Sequence, residues 1–417
     1  MNLGLLSLIL LAAAIAVSFL RNVNAGLVSV GFAMILTLVY GDAVTVKGVI
    51  AGFNTNLFIQ MTGVTYLFAV VSANGTLELT AKKVVNLVPA RAIPAVMFFI
   101  GMALSASGPG SIPCLAIIPV IAIPLSVSAG INPIMTSIIG DMGAMAGRMS
   151  PLTPEAAVVR TLMEAQGMDG DTVPIMICTF ITAIAVSALI TIYYKGWRVE
   201  GGARGERAKL PPFDKSQLLS LSGLAVLAVG ALFMGWNVGL TGFLVGTVLI
   251  IIGCGKDKTA ITGVPWGVIM MVLGVGMLMN IVTLSGGVDI LVGALEKVMG
   301  PKSAAPIMAL AAGVLSFFSS GLGVVFPTLV PVCGSLASSI GADGLELVAM
   351  VVIGGTIAGY TPISTTGALI MAGVAQQENS EKRFPQNKLF IELFAVSALN
   401  LVVLAVMAAV GVYLLVI

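Results

Sequence analysis

Long apolar runs separated by short polar turns recur along most of the chain. A helix needs about 20 predominantly apolar residues to span a bilayer. The clearest runs of that kind cover residues 3–20, 24–40, 57–74, 172–194, 217–235, 238–254, 264–284 and 390–417. The pattern therefore predicts an all-α polytopic membrane protein.

Two further regions, 92–166 and 301–375, are apolar but interrupted by Gly, Pro, Ser and Thr. In lipid, irregular backbone is tolerated only where it is buried in protein or lines a cavity. We therefore expect the functional groups to lie in these two regions.

The sequence repeats itself at an offset of about 211 residues. Three short motifs recur in the same order: residues 74–78 match 285–289, residues 107–110 match 319–323, and residues 150–153 match 361–364. Each half is predicted to contain three spanning helices, an interfacial helix, a helical hairpin, a helix broken at Ser-Pro or Thr-Pro, and a last helix. The hairpins are expected to re-enter the membrane without crossing it, so the second half is predicted to be inverted relative to the first.

Inverted repeats with discontinuous helices are the architecture of secondary transporters. The predicted fold class is therefore an inverted-repeat secondary transporter with two re-entrant helical hairpins and two broken helices. The predicted parts of the first repeat, residues 1–195, are a hairpin at about 97–130, a broken helix at about 132–165 and a helix at 172–194. After a linker at 196–216, the second repeat covers 217–417, with a hairpin at about 301–341, a broken helix at about 344–375 and a last helix at 390–417.

Composition supports a membrane location and excludes several functions. Hydrophobic residues make up 58% of the chain and charged residues 9%, whereas soluble domains carry about 25% charged residues. Histidine is absent and the four cysteines are scattered, which excludes a Ser-His-Asp triad, a His-ligated zinc and a CxxC metal site. We expect no enzyme, no cofactor, no metal beyond a possible Na⁺ and no nucleic-acid partner.

Basic residues predict the orientation. The linker region 195–215 contains six Lys and Arg, and the positive-inside bias makes it cytoplasmic. Threading the helices outward from this linker puts fifteen of the twenty basic residues on the same face. The chain is therefore expected in an inner (plasma) membrane, with its N- and C-termini on the outer face.

The two helix breaks are candidate anion sites. Pro151 and Pro362 cannot continue a helix, and a new helix can start at each proline with Ser150 or Thr361 as N-cap. Helix N-termini inside a membrane present N–H groups that favour an anion. The Gly-rich ends of the preceding half-helices offer carbonyls that suit a small cation.

The hairpin tips are rich in Ser and Gly, which allow backbone N–H groups to approach a ligand closely. Together with the breaks, they supply the predicted substrate-binding residues: Ser107, Gly108, Gly110, Ser111, Arg148, Ser150, Thr153, Ser320, Gly321, Gly323, Thr361, Ser364, Thr365 and Thr366. The predicted coupling-cation residues are Ser105, Asp141, Gly143, Gly147, Ser319, Gly355 and Gly359.

Charged residues inside a membrane are costly and usually functional. Arg148 lies two residues before the first break, and a guanidinium can bind a substrate carboxylate through two hydrogen bonds. The alternative is a structural ion pair of Arg148 with Asp141 or with Glu155. Glu155 and Arg160 are expected further out, towards the outer interface.

Two other functions were compared with the sequence pattern, and one of them stays open. A cation/proton antiporter would use Asp141 as its proton-exchanging group. An intramembrane aspartyl hydrolase is disfavoured, because Ile138 stands where the first glycine of a GxGD motif belongs and no second intramembrane Asp is evident.

Three segments, "MTGVTYLFAVVSANGTLE", "ALSASGPGSIPCLAIIPVIA" and "GDMGAMAGRMSPLTPEA", resemble dicarboxylate carriers of the malonate-carrier (MatC) type, within the ion transporter superfamily that includes the divalent anion/sodium symporters. The resemblance implies a homodimer with a scaffold domain and a mobile transport domain that works as an elevator. It also implies that the substrate is a small dicarboxylate such as malonate, carried together with sodium or protons.

The chain departs from the sodium/dicarboxylate symporters at the hairpin tips. Those proteins carry a Ser-Asn-Thr triplet at each tip, whereas here the matching positions are 108–111 and 320–323 and lack asparagine. Backbone N–H groups and Arg148 would have to take over the contacts of that asparagine.

Overall fold

The computed structural model describes residues 2–21, 23–41, 43–86, 88–197, 210–318, 320–361, 365–375 and 384–417. These residues form helices and turns, with no strand among them. In the first half the helices are α1 Leu3–Arg21, α2 Ala25–Val39, α3 Val46–Ala51, α4 Thr55–Ala73, α5 Thr76–Asn86, α6 Ile93–Ala106, α7 Ser111–Ser128, α8 Pro133–Gly147, α9 Pro154–Glu164 and α10 Val173–Tyr193.

The second half follows the same order of long and short helices. They are α11 Lys215–Phe233, α12 Val238–Ile251, α13 Asp257–Gly263, α14 Trp266–Leu284, α15 Gly287–Leu295, α16 Ala304–Phe318, a π-helical turn Gly321–Val325, α17 Phe326–Ile340, α18 Gly344–Ile357, α19 Thr365–Ala375 and α20 Gln386–Ala409. The last helix ends earlier than the predicted residue 417, because Gly411 turns the chain at a φ of 76°.

The chain is a multi-pass membrane protein. Within the described ranges, five helical stretches are long and apolar enough to cross a membrane: Val46–Ala73, Val173–Tyr193, Trp266–Leu284, Gly321–Ile340 and Lys388–Ala409. The other predicted spans form shorter apolar helices, such as α1, α2 and α12.

The two halves contact each other through equivalent pairs of helices. Helix α4 packs on α12 and α14 packs on α2, so each half contributes equivalent partners to the other. A Cβ on Gly63 would lie 1.9 Å from the carbonyl oxygen of Gly239, and a Cβ on Gly274 would lie 2.4 Å from that of Gly26. Only glycine permits backbones to approach this closely, so these four helices form a tightly joined frame.

Helices α8 and α18 lie at the centre of the molecule. Every residue of α8 is buried, as is α18 from Glu346 to Ile357. Helix α6 packs on α8, and α16 packs on α18. The functional region therefore begins where these two central helices end.

Candidate functional site

The first break covers the residues between α8 and α9, and it ends at a different proline from the predicted one. Helix α9 begins at Pro154, and Thr153 is its N-cap, accepting a hydrogen bond from the Ala156 N–H at 3.1 Å. The Thr153 hydroxyl also lies within hydrogen-bond distance of the carbonyl oxygens of Arg148 and Ser150. The prediction that a helix starts at Pro151 with Ser150 as its cap is wrong, because Thr153 closes the turn and caps the helix by itself.

Ser150 instead joins the break to the first hairpin. Its hydroxyl donates to the carbonyl oxygen of Ala106 at 2.8 Å, at the end of α6. Ser107 follows the last residue of α6 and donates back to Leu104 O at 2.8 Å. The turn at the tip depends on Gly108 and Gly110, whose φ values are 140° and 74°.

Glu155 lies at the centre of this region, contrary to the prediction that it reaches the interface. The residue is buried. Oε2 accepts a hydrogen bond from the Ser111 N–H at 3.0 Å, and Oε1 accepts one from Ser111 Oγ at 2.7 Å. Because α9 begins at Pro154, Glu155 lies in its first turn beside the break and not further out along the helix.

Arg148 pairs with this carboxylate. Its Nε lies 3.4 Å from Glu155 Oε2, and both side chains are 2% exposed. Of the two ion pairs weighed for Arg148, the structure contains the one with Glu155. The guanidinium also lies over the Phe326 ring, with Cζ 5.2 Å from the ring centroid, which adds a cation–π contact from the second half.

Several buried polar atoms at this centre have no hydrogen-bond partner within the described part of the chain. They are Ser105 Oγ, both carboxylate oxygens of Asp141 and Tyr360 Oη. Asp141 and Arg148 both lie within electrostatic reach of Tyr360. Buried polar groups are normally paired, so a cluster of unpaired ones indicates a place for a ligand, an ion or water.

Several of the residues predicted to bind a coupling cation take part in helix packing or in hydrogen bonds within the protein. A Cβ on Gly143 would lie 1.8 Å from Phe98 O, and one on Gly147 would lie 2.4 Å from Met102 O, so both glycines allow α6 to pack on α8. The Gly355 carbonyl already accepts a hydrogen bond from Ser316 Oγ at 2.7 Å. Within the described residues, no group of three or more His, Cys, Asp or Glu side chains is arranged to hold a metal ion.

The second tip and break are described in part. Ser320 caps the π-helical turn, accepting from the Gly323 N–H at 3.0 Å, and a Cβ on Gly321 would lie 2.2 Å from Gly355 O.

At the second break, Thr361 and Thr366 are buried. The N–H of Gly359 bonds to Thr356 O, and Thr365 begins α19. Ser319 and Ser364 lie outside the described residues.

A cavity of about 260 Å³ lies between α4 and the first hairpin. Its walls include Phe68 and Ser72 of α4, Pro109 and Cys114 of the hairpin, and Pro265. Cys114 lies one turn after Ser111 on α7 and within electrostatic reach of Glu155 and Asp141. One wall of the cavity therefore belongs to α7, the helix whose first residue, Ser111, binds the Glu155 carboxylate.

Sequence reasoning considered Glu155 only as a structural ion-pair partner of Arg148, placed it towards the interface, and missed Phe326 and Tyr360. A signal for Glu155 was present, since Thr-Pro-Glu is typical of an N-cap, a first-turn proline and an acidic residue in the first turn. No local pattern marks Phe326 or Tyr360, because only the packing of the two halves brings them to Arg148.

Solved structures share this fold. The YdaH transporter of Alcanivorax borkumensis aligns with a TM-score of 0.61 at 15% identity, covering 87% of each chain. MtrF of Neisseria gonorrhoeae, from a class of antimetabolite efflux pumps, aligns with a TM-score of 0.58 at 14% identity, covering 91% of this chain and 84% of MtrF. The chain therefore has the fold of a membrane transporter.

The family comparison is more specific. Residues 1–148 match the family model described as the dicarboxylate carrier protein MatC N-terminus. The resemblance to MatC-type carriers inferred from the sequence motifs is confirmed over this part of the chain. A comparison of the sequence with curated proteins found no match.

Proposed function

We propose that the protein is a secondary active transporter of a small dicarboxylate, such as malonate or a C4-dicarboxylate, coupled to sodium or protons. The observation that carries this proposal is the buried cluster at the first break, where a guanidinium, a serine hydroxyl and a helix N-terminal N–H converge on one carboxylate. These are the groups that bind carboxylates in proteins. The match of residues 1–148 to dicarboxylate carriers supports the same substrate class.

Arg148 and the N–H and hydroxyl of Ser111 would bind one substrate carboxylate. Ser150 and Thr153 hold the break in place through their bonds to Ala106 O and the α9 N-terminus. The second carboxylate would bind towards the tip and break of the second half, whose candidate residues are Ser320, Gly321, Gly323, Thr361, Ser364, Thr365 and Thr366. The substrate would then lie between the two halves.

The proposed mechanism is an elevator in an inverted-repeat homodimer. Helices α2, α4, α12 and α14 would form the fixed frame, because their backbones are in direct contact. The hairpins and broken helices, α6 to α9 and α16 to α19, would carry the site across the membrane. The linker would be cytoplasmic, with both termini on the outer face of an inner membrane.

The test is uptake into proteoliposomes of malonate, succinate, malate and citrate, each with and without a sodium gradient and a proton gradient. We expect uptake of at least one dicarboxylate, and a loss of at least tenfold in Arg148→Ala. The matched control is Arg160→Ala. This variant also removes an arginine, but Arg160 is half-buried and donates to Gly170 O instead of pairing with Glu155. Unchanged uptake in Arg148→Ala would remove Arg148 from the site, and no uptake of any dicarboxylate would refute the proposed function.

A cation/proton antiporter that uses Asp141 is the second candidate. The observation in its favour is that Asp141 is fully buried and its carboxylate oxygens have no hydrogen-bond partner within the described residues. It predicts cation-driven proton flux in liposomes without any dicarboxylate, abolished by Asp141→Asn. Flux that requires a dicarboxylate would exclude it.

A further inference from the structure

The Glu155 carboxylate occupies a complete carboxylate-binding site inside the protein. Ser111 gives it one N–H bond at the start of α7 and one hydroxyl bond, and Arg148 lies 3.4 Å from Oε2. Helix α7 has no side-chain cap of its own, because Gly110 precedes it. The carboxylate of Glu155, from another helix, therefore serves as the cap of α7.

Glycine makes this arrangement possible. A Cβ on Gly110 would lie 2.9 Å from Glu155 Oε2, and Gly110 has a φ of 74°. The tip is therefore shaped around a carboxylate at this position. A dicarboxylate that enters the site would need the same donors that Glu155 holds.

We propose that Glu155 is a built-in competitor for the substrate carboxylate: when a dicarboxylate binds Arg148 and Ser111, Glu155 is displaced and takes up one proton, which is then carried with the substrate. This inference rests on the proposed function and assigns its coupling ion as a proton. The proton comes from water on the side from which the substrate enters, and it adds to a carboxylate oxygen of Glu155. No bond within the substrate changes.

Charge balance is the physical reason for the proton. A dianion adds two negative charges to a buried cluster that holds one guanidinium, Arg148, and two carboxyl groups, Asp141 and Glu155. A buried carboxylate that loses its cationic partner is far more stable when neutral. Protonation of Glu155 therefore removes the repulsion between its carboxylate and the incoming substrate.

The surroundings of Glu155 offer few other groups that could take over this role. The titratable or charged side chains on the elements packed around it are Asp141 from α8, Arg148 directly after α8, Cys114 from α7, Tyr66 from α4, Cys333 from α17, Tyr360 near Arg148, and Arg160 and Glu164 from α9 itself. Of these, Asp141 is the other buried carboxyl group and is therefore the rival for the proton.

Wild-type protein gives the first test. In weakly buffered detergent solution, at a pH where the dicarboxylate is fully ionised, we expect about one proton taken up for each dicarboxylate bound, detected with a pH indicator. By linkage, the apparent Kd should then rise about tenfold for each unit increase in pH. Dicarboxylate binding without proton uptake would overturn the inference while leaving the proposed function intact.

The second test separates Glu155 from Asp141. Glu155→Gln keeps the shape and an oxygen that accepts from Ser111 but cannot exchange a proton. We expect this variant to bind dicarboxylate with a pH-independent Kd, to exchange internal for external substrate, and to lose uptake driven by a proton gradient by at least tenfold. Glu164→Gln, an exposed position on the same helix, should behave as wild type.

The variant Asp141→Asn tests whether Asp141, and not Glu155, takes up the proton. Proton coupling that persists in Glu155→Gln but disappears in Asp141→Asn would overturn the inference and assign the proton to Asp141. If Glu155→Gln does not fold, proton uptake on dicarboxylate binding is measured in Asp141→Asn: uptake that persists supports Glu155 as the proton acceptor, and its loss overturns the inference. If the wild type transports no dicarboxylate, the proposed function itself fails, which is a different result from uncoupled transport.

Discussion

The side-chain amide of Gln166 binds the backbone of Gly334, a residue on a helix of the other half of the chain. Oε1 of Gln166 accepts from the Gly334 N–H at 2.8 Å, and Nε2 donates to Val330 O at 2.9 Å. In a regular helix, residue 334 would bond to the carbonyl four residues earlier, at 330. Gln166 therefore binds the N–H and the carbonyl that would otherwise bond to each other within α17, next to Pro331. These two bonds connect the end of α9 to the second hairpin.

Replacing Gln166 should destabilise the contact between α9 and α17. In Gln166→Leu, both backbone groups lose a partner, and we expect the free energy of unfolding to fall by about 1–3 kcal/mol. Gln166→Glu keeps the acceptor for Gly334 and should cost less. Thermal unfolding followed by tryptophan fluorescence checks this. The control is Ser338→Ala on the exposed face of α17, which should change the free energy of unfolding by less than about 0.5 kcal/mol.

A methyl group at Gly143 should prevent the contact between α6 and α8. Its Cβ would lie 1.8 Å from the carbonyl oxygen of Phe98, so the two backbones would have to separate. We expect Gly143→Ala to destabilise the protein by about 1–3 kcal/mol or more and to lower the yield of folded protein.

The control for Gly143 is Gly31→Ala on α2. A Cβ on Gly31 meets nothing within 4 Å, and alanine favours a helix over glycine by about 0.5–1 kcal/mol. Gly31→Ala should therefore be neutral or stabilising. If Gly143→Ala were equally well tolerated, the close packing of α6 on α8 would be disproved.

The N-cap at Thr153 should matter for both stability and transport. Thr153→Ala removes the hydroxyl that accepts from Ala156 N and closes the break beside Arg148. We expect a loss of about 0.5–2 kcal/mol and reduced dicarboxylate uptake, whereas Thr153→Ser should keep most of both. Thr45→Ala removes a similar cap on the short helix α3, far from the break in sequence, and should leave uptake unchanged.

The proposed inversion of the repeat makes a prediction about two equivalent positions. Ser72 at the end of α4 and Thr283 at the end of α14 are both exposed and are separated by the repeat offset of about 211 residues. The four native cysteines are buried, so labelling of single introduced cysteines should have little background. An impermeant thiol reagent should reach Ser72→Cys only from the cytoplasmic side and Thr283→Cys only from the outer side.

Labelling of both positions from the same side would contradict the inversion. Ser72 also lines the cavity between α4 and the first hairpin, as does Cys114. If this cavity is the cytoplasmic entrance for substrate, labelling at Ser72→Cys should reduce uptake, whereas labelling at Thr283→Cys should not. Equal effects at the two positions would rule out the cavity as the entrance.

Most long helices, their order and the start of the first break follow from the sequence alone. Apolar run length and the prolines are local properties, and they predicted α8 and its end near Arg148 within a few residues. The scarcity of charge also singled out Arg148 as a buried cation. These features depend on each residue and its near neighbours, so a sequence pattern is sufficient to show them.

Which carboxylate meets Arg148 depends on how the whole chain packs. Each residue of a helix turns by about 100°, so the start of α9 at Pro154 in place of Pro151 changes which residues lie beside the break, and it brings Glu155 to Ser111 and Arg148. The contacts of Phe326 with Arg148 and of Gln166 with Gly334 join residues more than 160 positions apart. Such contacts depend on how the two halves pack together, and no local pattern records that.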